Sequence, residues 1–201
     1  MDPRLIYLFV FAVLFLLAVF FQKKYCFICD ATNVVHPKPY SYARLQLVWW
    51  TFIVFASFIS IALASGQIPT LDYSTLKLLG IGILTTATAR IIDISDDASA
   101  SAAGAAATAN LSKNLPSQGF WLDILSDKNG ISIHRLQAFV FNLVFGVWFI
   151  YRSVVNIGPV NTKSDPLTVI NKVIPVITDP NLILLGLSAG AYAALKSTEN
   201  K

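Results

Sequence analysis

Charge is what this chain has least of: 13% of its 201 residues are Asp, Glu, Lys or Arg, about half the share of an ordinary soluble domain. The deficit lies in a few long apolar runs, and no Asp, Glu or Lys falls at the centre of any of them. That absence argues against a proton pump, an ion-driven stator and a retinal protein, each of which depends on an ionisable group at membrane depth. The two histidines, His36 and His134, fall at predicted interfaces, whereas haem or quinone chemistry in the membrane would want them deeper. No Walker loop, Gly-x-Ser-x-Gly or His-Glu-x-x-His motif is found, so no catalytic residue and no cofactor is expected.

Cysteine is equally scarce. Cys26 and Cys29 are the only two, with Asp30 and His36 nearby. A structural zinc ion needs four ligands, so a metal on Cys26, Cys29 and His36 would be incomplete unless subunits shared it. A redox pair would normally come with a thioredoxin-like context, which the sequence lacks. Three readings stay open: two small interfacial hydrophobes, metal ligands, or a disulfide or redox pair.

What the chain has is apolar length, with a mean hydropathy of +0.63. Leu5–Phe21 is seventeen residues whose one polar group is the Tyr7 hydroxyl, near the lower limit for crossing a hydrocarbon layer of about 30 Å. No small-x-small cleavage site follows it, so it reads as an uncleaved anchor and not as a signal peptide. Leu45–Ala64, Leu76–Ile92 and Leu136–Tyr151 are further candidate spans. Leu182–Leu195 is shorter, about 21 Å as a helix, and is expected to sit among other helices, thin the bilayer or re-enter it. The predicted class is an all-α membrane protein of about five transmembrane helices. Its partners are the lipid bilayer and further copies of itself as a homo-oligomer.

The net charge of +4 and pI of about 9.1 do not form the contiguous basic footprint of a nucleic-acid binder. They report topology instead. With five spans, ten of the fifteen basic residues fall on one side, including Lys23, Lys24, Lys38, Arg44, Arg90, Lys113, Lys128, Arg135 and Lys201. The N-terminus is then expected outside and the C-terminus in the cytoplasm.

An internal repeat organises the chain. Ser41-Tyr42-Ala43-Arg44-Leu45-Gln46 and Ser132-Ile133-His134-Arg135-Leu136-Gln137 share four of six positions. Leu78-Leu79-Gly80-Ile81 then matches Leu184-Leu185-Gly186-Leu187 in the same order, which predicts one hairpin used twice, in parallel. The expected divisions are an anchor (1–22), a cytoplasmic linker with the cysteines (23–40), hairpin one (41–92), an alanine-rich linker with an interfacial helix (93–131), and hairpin two with a cytoplasmic tail (132–201).

In each Ser-x-x-Arg-Leu-Gln the serine should cap its helix. The arginine should snorkel to the interface, and the glutamine should seek a partner across helices. Arg44, Gln46, Arg135, Gln137 and Asn142 are therefore interface or gate candidates. Gly186, Gly190 and Ala194 are spaced for close helix packing, with Gly80 and Thr88 in equivalent positions of the first hairpin. A pore lined by Thr85, Thr86, Thr88 and Ser188 is the sharper alternative. Between the hairpins, Asp93, Asp96 and Asp97 lead into the run from Ala98 to Ala109, read as a continuing helix or a linker. In the segment after it, Phe120, Trp121, Ile124 and Leu125 fall on one face of a short surface helix, and Asn129-Gly130 ends it.

Several segments resemble a family of small multi-pass bacterial inner-membrane proteins: Pro39-Tyr40-Ser41 with Arg44, Gln46 and Trp50; Gly119 to Gln137; and Leu185 to Tyr192. They span most of the chain after residue 39. The family pattern has a second glycine where Leu84 stands here. The resemblance implies a bacterial inner-membrane location and supplies no activity. The function expected is an oligomeric, non-enzymatic, channel-like protein; the alternative is a membrane scaffold or adaptor whose cytoplasmic 93–130 region binds a protein partner.

Overall fold

A computed structural model describes residues 2–30, 36–109, 111–127 and 130–198, apart from the side chains at 105, 109 and 112. Lys128, Asn129 and Lys201, which enter the charge count and the helix stop above, lie outside the described residues. Among the described residues seven α-helices account for the architecture: α1 (Pro3–Tyr25), α2 (Tyr42–Ser65), α3 (Tyr73–Ala103), α4 (Ala105–Ala109), α5 (Phe120–Leu125), α6 (Ile133–Ile157) and α7 (Asp179–Lys196). A two-residue antiparallel ladder, Ser126–Asp127 against Gly130–Ile131, joins α5 to α6.

Four helices, α1, α2, α3 and α6, are long and apolar enough to cross a membrane. Their ends follow local chemistry. Asp2 accepts the Arg4 backbone N–H and Pro3 occupies the first turn of α1, where its missing donor costs nothing. Asp72 caps α3 by accepting from the Ser74 N–H. Gly66 ends α2 in the left-handed region at φ 72°, where a residue without Cβ is unstrained.

Ser41 and Ser132 do stand at the N-cap positions of α2 and α6, but neither side chain makes the expected capping bond. Their carbonyls instead accept the first helical N–H groups, those of Leu45 and Leu136. The third apolar run does not stop at Ile92: α3 continues as one helix to Ala103 and ends at Gly104, as a run of good helix formers allows.

Helix α2 packs on α3 and α6, and α7 packs on the same two, so four helices close a ring; α1 lies along α2 and touches α6. Trp50, Ile53, Leu78, Phe149 and Leu185 fill the middle. Buried hydroxyls pin the helices together at depth: Ser57 Oγ lies 3.5 Å from Tyr7 Oη and donates to Ser153 Oγ at 3.2 Å, linking α1, α2 and α6. Helices without a hydrophobic drive to associate rely on such bonds and on close packing. The outer faces carry large exposed apolar side chains, among them Phe9, Phe15 and Leu16 of α1 and Val144, Val147 and Tyr151 of α6.

The two ends of the bundle differ. At one end, the segment between α6 and α7 folds inward, burying Val160, Ile170, Val173, Ile174 and Ile177 against Ile157 and Leu182. Asn156 donates to the Lys172 and Val173 carbonyls, and Ser74 accepts the Ile177 N–H. The other end is polar.

Candidate functional site

The polar end gathers residues from five parts of the chain around a cavity of about 180 Å³. Its walls come from the lead into α2 (Asp30, Tyr40), from α2 (Tyr42), from the segment before and through α5 (Lys113, Asp123), from α6 (Arg135) and from the end of α7 (Tyr192, Lys196).

Lys196 of its wall pairs with a buried carboxylate of α3. Lys196 Nζ lies 3.1 Å from Asp93 Oδ1, and their side chains are 7% and 8% exposed. Lys113 donates to the Asp93 carbonyl at 3.3 Å and pairs with the Asp97 carboxylate. The stretch of α3 from Asp93 to Asp97 is thereby tied both to α7 and to the segment following α4.

Asp123 is the second organiser. Its Oδ2 accepts the Tyr40 N–H at 3.1 Å and the Ser117 hydroxyl, and its Oδ1 accepts the Gln118 N–H at 2.9 Å. One carboxylate thus holds α5 against the entry to α2, a charge-assisted arrangement stronger than neutral bonds. Arg135 reaches back to the Asp123 carbonyl at 3.4 Å and stacks over the Tyr192 ring at 5.4 Å. Tyr192 packs edge-on against Tyr42. The surface helix is docked on the bundle: Ile124 is fully buried, while Trp121 remains 62% exposed, so the apolar face of α5 is only partly covered.

No family model, curated protein or solved structure matches the chain.

Arg135 lines the cavity and Arg44 does not. Gln46 is buried but its Oε1 has no hydrogen-bond partner; Gln137 is exposed. The repeated glutamine therefore plays two different parts. Asn142 is a clamp between α6 and α2: it accepts from Trp50 Nε1 at 2.6 Å and donates to Tyr42 Oη at 3.0 Å, and its backbone carbonyl takes the Trp49 indole N–H at 3.0 Å.

Thr85 and Ser188 are buried and spend their hydroxyls on their own helices, donating to the Ile81 and Leu184 carbonyls. Thr86 crosses to α2, donating to the Ala43 carbonyl at 3.2 Å. Thr88 and Gly190 face outward, and a Cβ on Gly80 or Gly190 would meet nothing within 4 Å. Gly186 faces Ile81 of α3. These residues do not line one wall.

Cys26 and Cys29 are joined as a disulfide, which leaves no thiolate to ligate a metal, and His36 is exposed. Among the described residues no group of three or more His, Cys, Asp or Glu is placed to hold a metal ion.

Sequence reasoning missed Lys196, Asp93, Lys113 and Asp123 as a cluster. A signal was there: Asp93 follows the third apolar run and Lys196 the fifth, so a five-span chain brings both to one side. Gly146 was missed too. A Cβ there would stand 2.3 Å from Trp49 Nε1, so this glycine lets α2 and α6 meet through Trp49.

Proposed function

We propose that this chain is a non-enzymatic adaptor of a bacterial cytoplasmic membrane, with five spans, its N-terminus outside and its polar end in the cytoplasm. The observation that carries this reading is the docking of the 93–127 region. It is bound to the bundle end by Lys113, Asp123 and Arg135 and shares a polar cavity with the ends of α2, α6 and α7. A segment held this way transmits a change in the helices to whatever binds its outer surface, and the reverse.

The resemblance to small inner-membrane proteins supports the location, and the bias of basic residues supports the orientation. A duplicated hairpin accounts for the packing, in which α2 meets α6 and α3 meets α7, like against like. On this reading α7 is the fifth span; its 18 residues, about 27 Å long, are shielded by α3 and α6.

A channel between copies is the second reading, favoured by Gly190, Ala194 and Thr88, which face outward on α7 and α3. A conduit through one chain is disfavoured by the filled interior. Photo-crosslinking groups at Ser99 and Gln118, compared with one at Leu167 on the opposite end, test the adaptor in cells. Protein adducts at the first two positions only, lost on Asp123→Ala, are expected. Equal labelling at both ends, or a ring of four or more copies that passes ions in liposomes, would replace the adaptor with the channel.

A further inference from the structure

The cysteine pair and the cavity beside it are not used by the reading above. Cys26 ends α1 in the left-handed region at φ 48°, and Cys29 is buried one turn later. The side chain of Gln22 holds the turn closed. Its Nε2 donates to Cys26 Sγ at 3.4 Å and to Cys29 Sγ at 3.5 Å, while its Oε1 accepts the Ile28 N–H at 3.0 Å.

The same Gln22 lies in the wall of an apolar groove of about 420 Å³ between α1 and α2. The groove runs from Phe11 up to Gln22, Lys23, Phe27 and Ile28, so the two residues between the cysteines are part of its rim. Along its length it is lined by Leu14, Phe15, Ala18 and Trp49, and only its mouth is polar.

We infer that this groove takes a membrane quinone, its isoprenoid tail along Phe11–Val19 and its ring at Gln22, and that the cysteine pair exchanges two electrons with it. Three observations commit the groove to this occupant. A disulfide, which is a two-electron acceptor or donor, lies beside the rim, its sulfurs hydrogen-bonded by Gln22 and its cysteines flanking Phe27 and Ile28. The mouth offers a hydrogen-bond donor, the Lys23 ammonium, which suits the carbonyls of a quinone ring. In the proposed topology the pair faces the cytoplasm, where thiol pools keep structural cysteines reduced and a disulfide is a transient, redox-active bond. Thiols here take the place of the deep histidine that the sequence lacks.

The reaction balances without another partner. In the reduced protein the two S–H bonds break and one S–S bond forms. Two electrons and two protons pass to the quinone, whose two carbonyl oxygens become hydroxyls. Donation from Gln22 Nε2 stabilises the thiolate that forms first, since the thiolate is the reactive form. A change at this turn reaches the polar end directly, because Asp30 N–H donates to the Pro39 carbonyl and Ser41 N–H to that of Ile28. The pair would therefore report the state of the quinone pool to the site described above. The inference rests on the proposed topology and not on the adaptor role.

The test uses the full chain in liposomes, reduced and freed of reductant, then mixed with a short-chain ubiquinone. Thiol loss is followed by a maleimide gel shift and quinol by its absorbance, with diamide closure of the pair as the folding control. The expected result is one quinol per disulfide formed, with Ala18→Trp, which fills the groove, slowing the quinone reaction about tenfold or more while diamide closure is unchanged. An unaltered quinone rate in Ala18→Trp would overturn the site, as would closure by diamide but not by quinone, which would leave the groove to phospholipid chains. Failure of diamide to close the pair would overturn the redox role itself. Labelling of the reduced pair from outside intact spheroplasts would remove the topology without touching the groove chemistry.

Discussion

Helices α3 and α7 are joined by a lysine–aspartate pair at each end, and the two pairs are physically unlike. At the plugged end, the outer one in the proposed topology, Lys77 meets Asp179 at 2.8 Å, with the side chains 57% and 73% exposed. At the polar end Lys196 meets Asp93 at a similar distance but almost wholly out of water. Water screens the first pair to a contribution between zero and about 1 kcal/mol. The second gains a far stronger attraction and bears a desolvation cost of comparable size, so the intact pair adds little net stability. Losing one partner is another matter, because a buried charge is then left alone. The difference teaches that the outer end is stabilised by its apolar plug, whereas the polar end retains buried charge that stability alone does not require.

The comparison breaks most decisively at Lys196. Lys196→Met is expected to lower the unfolding free energy by about 3–5 kcal/mol, because Asp93 loses its buried partner. Asp93→Leu combined with Lys196→Met should recover most of that loss. Thermal and denaturant unfolding in one detergent reads both, and a double variant as unstable as the single would show that the burial penalty is not the cause.

Lys113→Ala removes the second cation at the same corner and should cost about 1.5–3 kcal/mol, the range for a hydrogen bond to a charged group. Its signature is faster proteolysis in the 104–119 segment, since that cation ties the segment to α3. On the outer end Ser74→Ala deprives the buried Ile177 N–H of its acceptor, for a loss of about 1 kcal/mol. Protection of the 170–177 amides against hydrogen exchange should fall with it.

The exposed pair gives the smallest effects. Lys77→Ala should change stability by no more than about 0.5 kcal/mol, and added salt should erase the change; a salt-resistant loss near that at Lys196 would end the contrast. Asp72, the cap of α3 at the same end, is held below the usual carboxylate range by the hydrogen bond from the Ser74 N–H. A carboxyl lowered in the folded state adds stability that is present above its unfolded pKa, about 3.9, and is lost as pH falls through the folded value. An acid titration of stability should therefore lose a small step below about pH 4 that Asp72→Ala lacks.

Much of the fold was legible because a helix in lipid must satisfy its backbone internally and be apolar over its length, a signal carried by consecutive residues. The starts of α2 and α6 at Tyr42 and Ile133 follow from the Ser41 and Ser132 positions, although the serine hydroxyls do not cap. The extent of α3 was half legible: the alanine run favours helix, but nothing local fixes whether such a run stays rigid. Residues 158–178 carry no sequence signal beyond their place inside the second hairpin. Their role as a plug depends on Ile170, Val173 and Ile174 finding Ile157 and Leu182, an encounter that short-range patterning does not encode. Gln46 and Gln137 make the same point, since identical motifs received opposite environments, one against α5 and α6 and the other outward.

The sequence alone determined that this is a helical protein with several stretches able to cross a membrane and with no ionisable group at their centres, because those properties belong to local composition. Tertiary structure decided which charges are buried, that Asp123 locks α5 down, that Gly146 admits Trp49, and that Gln22 touches both sulfurs beside an apolar groove. Each is an encounter between residues on different helices or across a turn, and its energy depends on burial. Burial is a property of the packed bundle, and no single stretch of chain possesses it.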